Sequence, residues 1–105
     1  MVNRHYILIN KKVIEVSSEL WAEWLENAGK ERIVKQQTLK NGNFVSTVFL
    51  GLDHNFGIGK PLLFETMVFS NTKDLDELDM NRYSTYKEAE KGHKLMVEKW
   101  KKLKK

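Results

Sequence analysis

Residues 32–52 read RIVKQQTLKNGNFVSTVFLGL, and this segment predicts the central hairpin of the fold. Two runs with strand-like composition flank Lys40-Asn41-Gly42-Asn43, and Asn-Gly is the strongest short-range signal for a β-hairpin. A two-residue turn at Asn41-Gly42 pairs Leu39 with Phe44 across the hairpin. Apolar side chains occupy both faces of the second strand toward its end, which predicts that this strand lies in the middle of a sheet.

A second hairpin and a helix precede this stretch. Residues 6–9 and 13–16 consist mostly of residue types that favour strands. They flank Asn10-Lys11-Lys12, which predicts a short hairpin. Ser17 then suits the N-cap of a helix, and Gly29 suits its end. One side of this helix is apolar, which predicts that it lies on the sheet through Leu20, Trp21, Trp24, Leu25 and Ala28.

Two further elements follow the central strand. Residues 62–69 predict another strand, and the polar, acidic residues 70–82 predict a loop or one short helical turn. Thr85-Tyr86-Lys87-Glu88 matches a capping box and begins a last helix. The apolar arc of that helix contains Tyr86, Ala89, His93, Met96, Val97, Trp100 and Leu103.

The predicted order is β-β-α-β-β-β-α, which is typical of the α+β class. We therefore expect a mostly antiparallel sheet of about five strands with two amphipathic helices. The 105 residues predict a single domain over 1–105. A chain of this size buries only about 60–70% of its unfolded surface on folding. A homodimer or a higher homo-oligomer is therefore an open alternative to a monomer.

The composition excludes several classes of protein. The chain has no cysteine, which excludes a disulfide scaffold, thiolate metal sites and cysteine nucleophiles. No apolar run approaches the roughly 18–20 residues that a membrane span requires, and the first residues do not resemble a signal peptide. We therefore expect a cytoplasmic protein with no membrane partner.

The net charge of +4 comes from one end of the chain. Residues 87–105 contain 8 lysines and 3 glutamates, whereas residues 1–86 contain 10 basic and 11 acidic side chains. The basic end of the last helix, residues 99–105, provides an alternative nucleic-acid contact. Lysines at a helix end also complement the helix dipole, and an interleaved aromatic stripe is lacking, so nucleic acid is the weaker alternative. The lysines of this basic end are Lys99, Lys101, Lys102, Lys104 and Lys105.

Several polar side chains lie where the ends of predicted elements meet. Asp53 and His54 follow the central strand and precede a loop with two glycines, where backbone amides are able to approach a ligand. Glu65 lies on an apolar strand face, where a carboxylate needs a partner or an exposed edge. Arg82-Tyr83 combines a guanidinium that binds anions with an aromatic ring. Each residue also has a structural interpretation, as part of a turn or a salt bridge.

His93 lies near the centre of the apolar arc of the last helix. A histidine in that position is more often a packed, hydrogen-bonded core residue than a ligand. Together with Asp53, His54 and Glu65 it also has the donor chemistry for a metal site or an acid–base pair. The spacing matches no zinc signature, so a metal-assisted hydrolase or nuclease stays an alternative.

Three segments together resemble a known family: VSTVFLGLDH (45–54), LFETMVF (63–69) and RYSTYKEAEKGH (82–93). They are similar to a family of small uncharacterised proteins found mainly in tailed bacteriophages and prophages. That family also tends to have a Trp-rich segment like Leu20–Trp24. The resemblance covers most of residues 20–95, and the basic end and residues 70–81 depart from the family's pattern.

The resemblance implies a phage accessory protein that acts by binding in the cytoplasm of a host cell. We expect it to sequester a nucleotide-like signal or a host factor and so to counter host defence. The absence of a recognised catalytic arrangement favours a non-enzymatic protein with no cofactor. The predicted site binds a small anionic ligand or a host protein and consists of Asp53, His54, Glu65, Arg82, Tyr83, Thr85, Glu88 and His93.

Overall fold

The computed structural model describes residues 5–55, 59–74 and 76–102. The strands are β1 (Tyr6–Ile9), β2 (Lys12–Glu15), β3 (Ile33–Thr38), β4 (Phe44–Phe49), β5 (Phe64–Phe69) and β6 (Glu77–Tyr83). The helices are α1 (Ser18–Ala28) and α2 (Tyr86–Lys101), and a 3₁₀ turn, Gly29–Arg32, follows α1. Among the described residues, β1 and β2 form one antiparallel sheet, and a second has the order β3-β4-β5-β6. The fold is therefore α+β, as predicted.

The described chain has six strands in two sheets, not about five in one sheet. Part of the predicted loop 70–82 is a strand, and β1 and β2 pair separately from the other four strands. Strand β6 pairs antiparallel with β5 from Phe69↔Glu77 to Phe64↔Tyr83. Its residues are mostly polar, and such residues have low strand preference. An edge strand exposes one side to water, however, so polar side chains are tolerated there. The backbone hydrogen bonds that β6 forms with β5 outweigh the low strand preference of its residues.

Helix α2 packs across one face of the four-stranded sheet. On this face Val45 and Phe49 of β4 lie opposite Val68 and Phe64 of β5, and all four side chains are fully buried. Burial alternates along β5, as expected for a strand with one covered face. Strand β4 lies inside the sheet, which confirms its predicted central position.

The β3–β4 hairpin pairs one residue away from the predicted register. Thr38, and not Leu39, lies opposite Phe44. The Leu39 carbonyl accepts from the Gly42 N–H at 2.9 Å, and the Leu39 N–H donates to the Asn43 carbonyl at 2.8 Å. This is a three-residue turn in which Gly42 has a φ of 92°, so the predicted two-residue turn is wrong. The shift buries Leu39 and Asn43.

The N-terminal hairpin and helix follow the predicted local signals closely. Asn10 and Lys11 have φ of 50° and 68° and form a two-residue turn that pairs Ile9 with Lys12. The second strand therefore begins one residue earlier than predicted. The Ser17 hydroxyl accepts from the Leu20 N–H at 3.2 Å, which confirms the predicted N-cap of α1.

Helix α1 packs beside β1 at one end of the four-stranded sheet. The ring of Trp24 meets the ring of Phe49 edge to face, with centroids 5.6 Å apart. Ala28 is buried, but Leu20 keeps 55% of its surface exposed. The predicted apolar stripe of α1 is therefore only partly covered. Neither helix of the described chain has the length and apolar content to cross a membrane.

On the opposite face of the four-stranded sheet no helix of the described chain is packed, since α2 covers the other face. We call this surface the open face. Strand pairing arranges its side chains in three rows, and half of them are apolar. The rows are Thr38, Phe44, Phe69 and Glu77; Gln36, Ser46, Met67 and Met80; and Ile33, Val48, Glu65 and Arg82.

Candidate functional site

Asp53 and His54 organise the loop between β4 and β5. An Asp53 carboxylate oxygen accepts from the backbone N–H groups of Asn55 at 2.7 Å and Leu62 at 3.0 Å. The Nδ1 of His54 lies 2.9 Å from the Leu52 carbonyl, and because a carbonyl only accepts, Nδ1 carries the proton. Both side chains therefore hold the loop closed. The first glycine of the predicted glycine loop, Gly57, lies outside the described residues.

Glu65, a carboxylate on a partly apolar strand face, forms an ion pair with Arg82. A carboxylate oxygen of Glu65 lies 3.0 Å from Nε of Arg82, its neighbour across the β5–β6 pair. Both side chains lie on the open face and are partly exposed. The pair contributes little to stability at such an exposure but leaves this part of the face without net charge.

His93 lies beneath the sheet with 1% of its surface exposed. Its Nε2 is 2.9 Å from Oε1 of Gln37, and its Nδ1 is 2.7 Å from the Thr47 hydroxyl. The amide oxygen only accepts, so we assign the proton to Nε2, and Nδ1 accepts from Thr47. The Thr47 hydroxyl lies 2.6 Å from that of Thr66. We call Gln37–His93–Thr47–Thr66 the buried polar chain.

The buried polar chain keeps His93 neutral. Burial lowers the pKa of His93 below its ordinary value, and the positive charge of Lys35 lowers it further. Both ring nitrogens are already satisfied in the neutral form. The geometry matches the packed, hydrogen-bonded core histidine that the sequence favours.

Thr85 and Glu88 form the predicted capping box of α2. The Thr85 hydroxyl accepts from the Glu88 N–H at 3.1 Å, and the Glu88 carboxylate accepts from the Thr85 N–H at 3.1 Å. Tyr83 packs against α2 at Gly92, where a Cβ would overlap the tyrosine ring. Burial raises the pKa of Tyr83. The contact between Tyr83 and Gly92 sets how closely α2 approaches β6.

The eight predicted site residues do not meet at one point. Asp53 and His54 lie in the β4–β5 loop, Glu65 lies on the open face, and His93 lies beneath the other face. Among the residues that the structure describes, no three His, Cys, Asp or Glu side chains come together as metal ligands. The described geometry therefore gives the metal-assisted alternative no donor cluster. Ligand binding by these residues stays a prediction.

Three of them, Arg82, Tyr83 and Glu88, line a groove of about 690 Å³ between β6 and α2. We call it the β6–α2 groove. Its apolar part includes Leu95, which exposes 63% of its surface. The other lining residues are Leu62, Asp79, Met80, Asn81, Ser84, Lys91, Gly92, Met96 and Lys99.

Charged side chains of both signs line the β6–α2 groove. Lys91, Lys99, Asp79 and Glu88 line it, whereas the guanidinium of Arg82 lies on the open face beside Glu65. The Asp79 carboxylate accepts from Nζ of Lys99 at 2.7 Å and also from the Trp100 indole. Burial raises the pKa of Asp79, but these hydrogen bonds outweigh it and hold the pKa below the usual aspartate value. Among the described residues Lys91 forms no ion pair within 4.0 Å.

Strand β6 is the outer strand of the sheet, so one of its edges has no described strand beside it. The backbone N–H of Met80 donates to the Asp79 carboxylate at 2.8 Å, and that of Arg82 donates to the Asn81 side chain at 2.9 Å. These two N–H groups therefore point away from β5. Side chains of the preceding residues satisfy them, which is one way in which proteins protect an edge strand.

The basic end of α2 is partly neutralised. Lys99 pairs with Asp79, and Lys101 lies 2.8 Å from a Glu98 carboxylate oxygen. Lys102 is exposed, whereas Lys104 and Lys105 lie outside the described residues. Nucleic-acid contact through this end stays an untested prediction.

Sequence reasoning missed most of the groove because it placed no strand at residues 77–83. Asp79, Asn81 and Tyr83 alternate toward α2, but two of these three side chains are polar, so the sequence contains no apolar alternation that predicts the strand. Neither known protein families, nor characterised proteins, nor solved structures provide a match to this chain in the comparisons made.

Proposed function

We propose that this protein acts by binding an extended segment of a partner protein in the β6–α2 groove. The main observation in support of this proposal is that the outer edge of β6 forms one wall of the groove. An extended segment that pairs with an edge strand gains backbone hydrogen bonds, and adjacent pockets select its side chains. Following the resemblance to phage proteins, we propose that the partner is a host factor, bound in the host cytoplasm to counter host defence.

The groove predicts the chemistry of the segment. Leu95 and Met96 form an apolar wall of the groove. Gly92 has no side chain, so the part of the helix between this wall and β6 does not fill the groove. Lys91, which forms no ion pair with another described residue, provides positive charge near that wall. A segment that alternates apolar and acidic side chains would therefore match the groove. It would displace Asn81 from the Arg82 N–H, which exchanges one hydrogen bond for another.

Panning a display library of random linear peptides on the immobilised protein tests the proposal. We expect enrichment of peptides that alternate apolar and acidic residues. Met80→Pro removes an outward N–H of β6, whereas the matched variant Met80→Ala retains it. The enriched peptide should bind Met80→Pro about tenfold or more weakly than Met80→Ala, which corresponds to the loss of one well-formed hydrogen bond or more.

A second pair of variants tests the helix side of the groove. Leu95→Glu places a negative charge on the apolar wall, and Leu20→Glu makes the same change on an exposed part of α1. We expect only Leu95→Glu to weaken peptide binding. Equal affinity of all four variants, or no enrichment, would refute the proposal. Chemical shift changes caused by ATP at Lys91 and Arg82, without peptide enrichment, would favour the nucleotide-like ligand instead.

A further inference from the structure

The open face is unusually apolar for the outer face of an antiparallel sheet. Such a face, when it meets water, normally carries polar side chains in alternation with the core. Here Phe44 and Phe69 stack with ring centroids 6.2 Å apart, and Met67 lies beside Met80 in the next row. Ile33 and Met80 keep 37% and 38% of their surface exposed. Apolar side chains that adjoin in this way on an uncovered sheet face are available for contact with another molecule.

We propose that the open face is the interface of a homodimer, with a two-fold axis that crosses the strands over the middle row. This axis places each strand over the same strand of the second copy and reverses the order of the rows. The middle row then faces itself, so Met67 meets Met67 of the second copy. The contact is isologous, as in most two-fold dimers.

The pattern of the face is complementary to itself under this rotation. Glu77 lies at one end of the β6 column and Arg82 at the other, so Glu77 comes to lie over Arg82 of the second copy. In the β4 column, Phe44 comes to lie over Val48 of the second copy. Acid therefore meets base in the β6 column and apolar meets apolar in the β4 column, whereas Thr38 of the β3 column lies over Ile33 of the second copy.

The alternative axis, parallel to the strands, gives a poorer match. It would place Arg82 over Ile33 of the second copy and Met80 over Gln36. Under that axis Arg82 keeps Glu65 of its own chain but gains no second carboxylate, and Met80 meets a polar amide. With the proposed axis, Phe69 does lie over Glu65 of the second copy, but that carboxylate stays paired with Arg82 of its own chain.

The size of the face predicts a weak dimer. Four strands spaced about 4.8 Å apart and about 20 Å long cover roughly 400 Å² per copy. Stable interfaces bury about 800 Å² per partner. We therefore expect a dimer that dissociates on dilution through the micromolar range. The Glu65–Arg82 pair in the outer row adds no net charge that would repel a second copy.

Sedimentation velocity over a concentration series tests the dimer. The 12.4 kDa chain should approach twice its mass at high concentration. Met67→Lys brings two like charges together on the axis and should raise the dimer dissociation constant about a hundredfold. Leu20→Lys, the same kind of change on the exposed side of α1, should leave it unchanged. Glu77→Lys should weaken the dimer, and added salt should reduce that effect.

A crosslinking experiment decides the outcome if Met67→Lys fails to fold. The chain has no cysteine, so Met67→Cys introduces a single thiol at the proposed axis. A short bismaleimide should join two Met67→Cys copies and should not join two Leu95→Cys copies. A wild-type chain that stays monomeric up to about millimolar concentration would overturn the proposal, because even weak specific contacts associate in that range. A dimer that Met67→Lys leaves intact, or that crosslinks equally through Leu95→Cys, would also overturn it.

Discussion

Thr47→Val tests whether the buried polar chain stabilises the sheet–helix interface. Thr47 is fully buried, and its hydroxyl contacts both His93 and Thr66. Valine retains the shape of threonine but removes the hydroxyl. His93 Nδ1 then loses its donor, and the Thr66 hydroxyl loses its acceptor. Each buried group without a partner costs about 1–3 kcal/mol.

The expected loss follows from these two groups. Their sum is about 2–6 kcal/mol, and the added buried methyl group offsets about 1 kcal/mol of it. We therefore expect the free energy of unfolding to fall by about 3 kcal/mol, within a range of roughly 1–5 kcal/mol. For a domain of this size, that corresponds to a melting temperature lower by roughly 12–24 °C.

Urea unfolding followed by tryptophan fluorescence measures this loss, and thermal unfolding followed by circular dichroism checks it. Thr38→Val makes the same chemical change at an exposed position on the open face and should alter stability by less than about 0.5 kcal/mol. Thr47→Ser keeps the hydroxyl and should lose only about 1 kcal/mol, the contribution of one buried methyl group. The reasoning would be refuted if Thr47→Val were as stable as Thr38→Val, or if Thr47→Ser lost as much as Thr47→Val.

Three further predictions concern His93, Gly92 and Thr85. The pKa of His93 is lowered on folding, so the unfolded chain takes up the proton first as the pH falls below about 6.5. The free energy of unfolding should therefore decrease from pH 7 toward pH 5, and urea titrations should show a smaller decrease for His93→Gln; equal slopes would contradict the assignment. Gly92→Ala should lower the melting temperature despite the helix preference of alanine, because its Cβ overlaps the Tyr83 ring, whereas Leu95→Ala should leave it nearly unchanged. Thr85→Ala should cost about 1 kcal/mol in urea unfolding through loss of the cap, and an unchanged midpoint would argue against it.

Local chemistry explains which parts of the fold the sequence predicts well. Ser17 and the Thr85–Glu88 pair satisfy N–H groups within three residues of themselves, so their sequence pattern is sufficient to locate both helix starts. Gly42 shows the limit of such signals. Asn-Gly is compatible with a two-residue turn and with the three-residue turn observed, and the choice depends on burying Leu39 and Asn43 against distant residues.

The candidate site depends on contacts that no short pattern contains. Strand β6 has a polar sequence and becomes a strand because β5 offers it a ladder. The sequence identifies Glu65 and Arg82 separately, but their pairing follows from the β5–β6 register. His93 was predictable as a core residue from its helical position. Its partners Gln37 and Thr47 come from two other strands, so the buried polar chain was not predictable.

Strand β6 connects the two proposed binding surfaces, yet the surfaces are separable by experiment. Met80 and Arg82 belong both to the open face and to the β6–α2 groove, so their substitution affects both. Leu95 lines only the groove, and Met67 lies only on the open face. A strand that pairs with β6 also widens the open face by about 4.8 Å, which enlarges the surface offered to a second copy. Peptide binding and dimerisation should then favour each other by the same factor, because linkage between two binding equilibria is reciprocal.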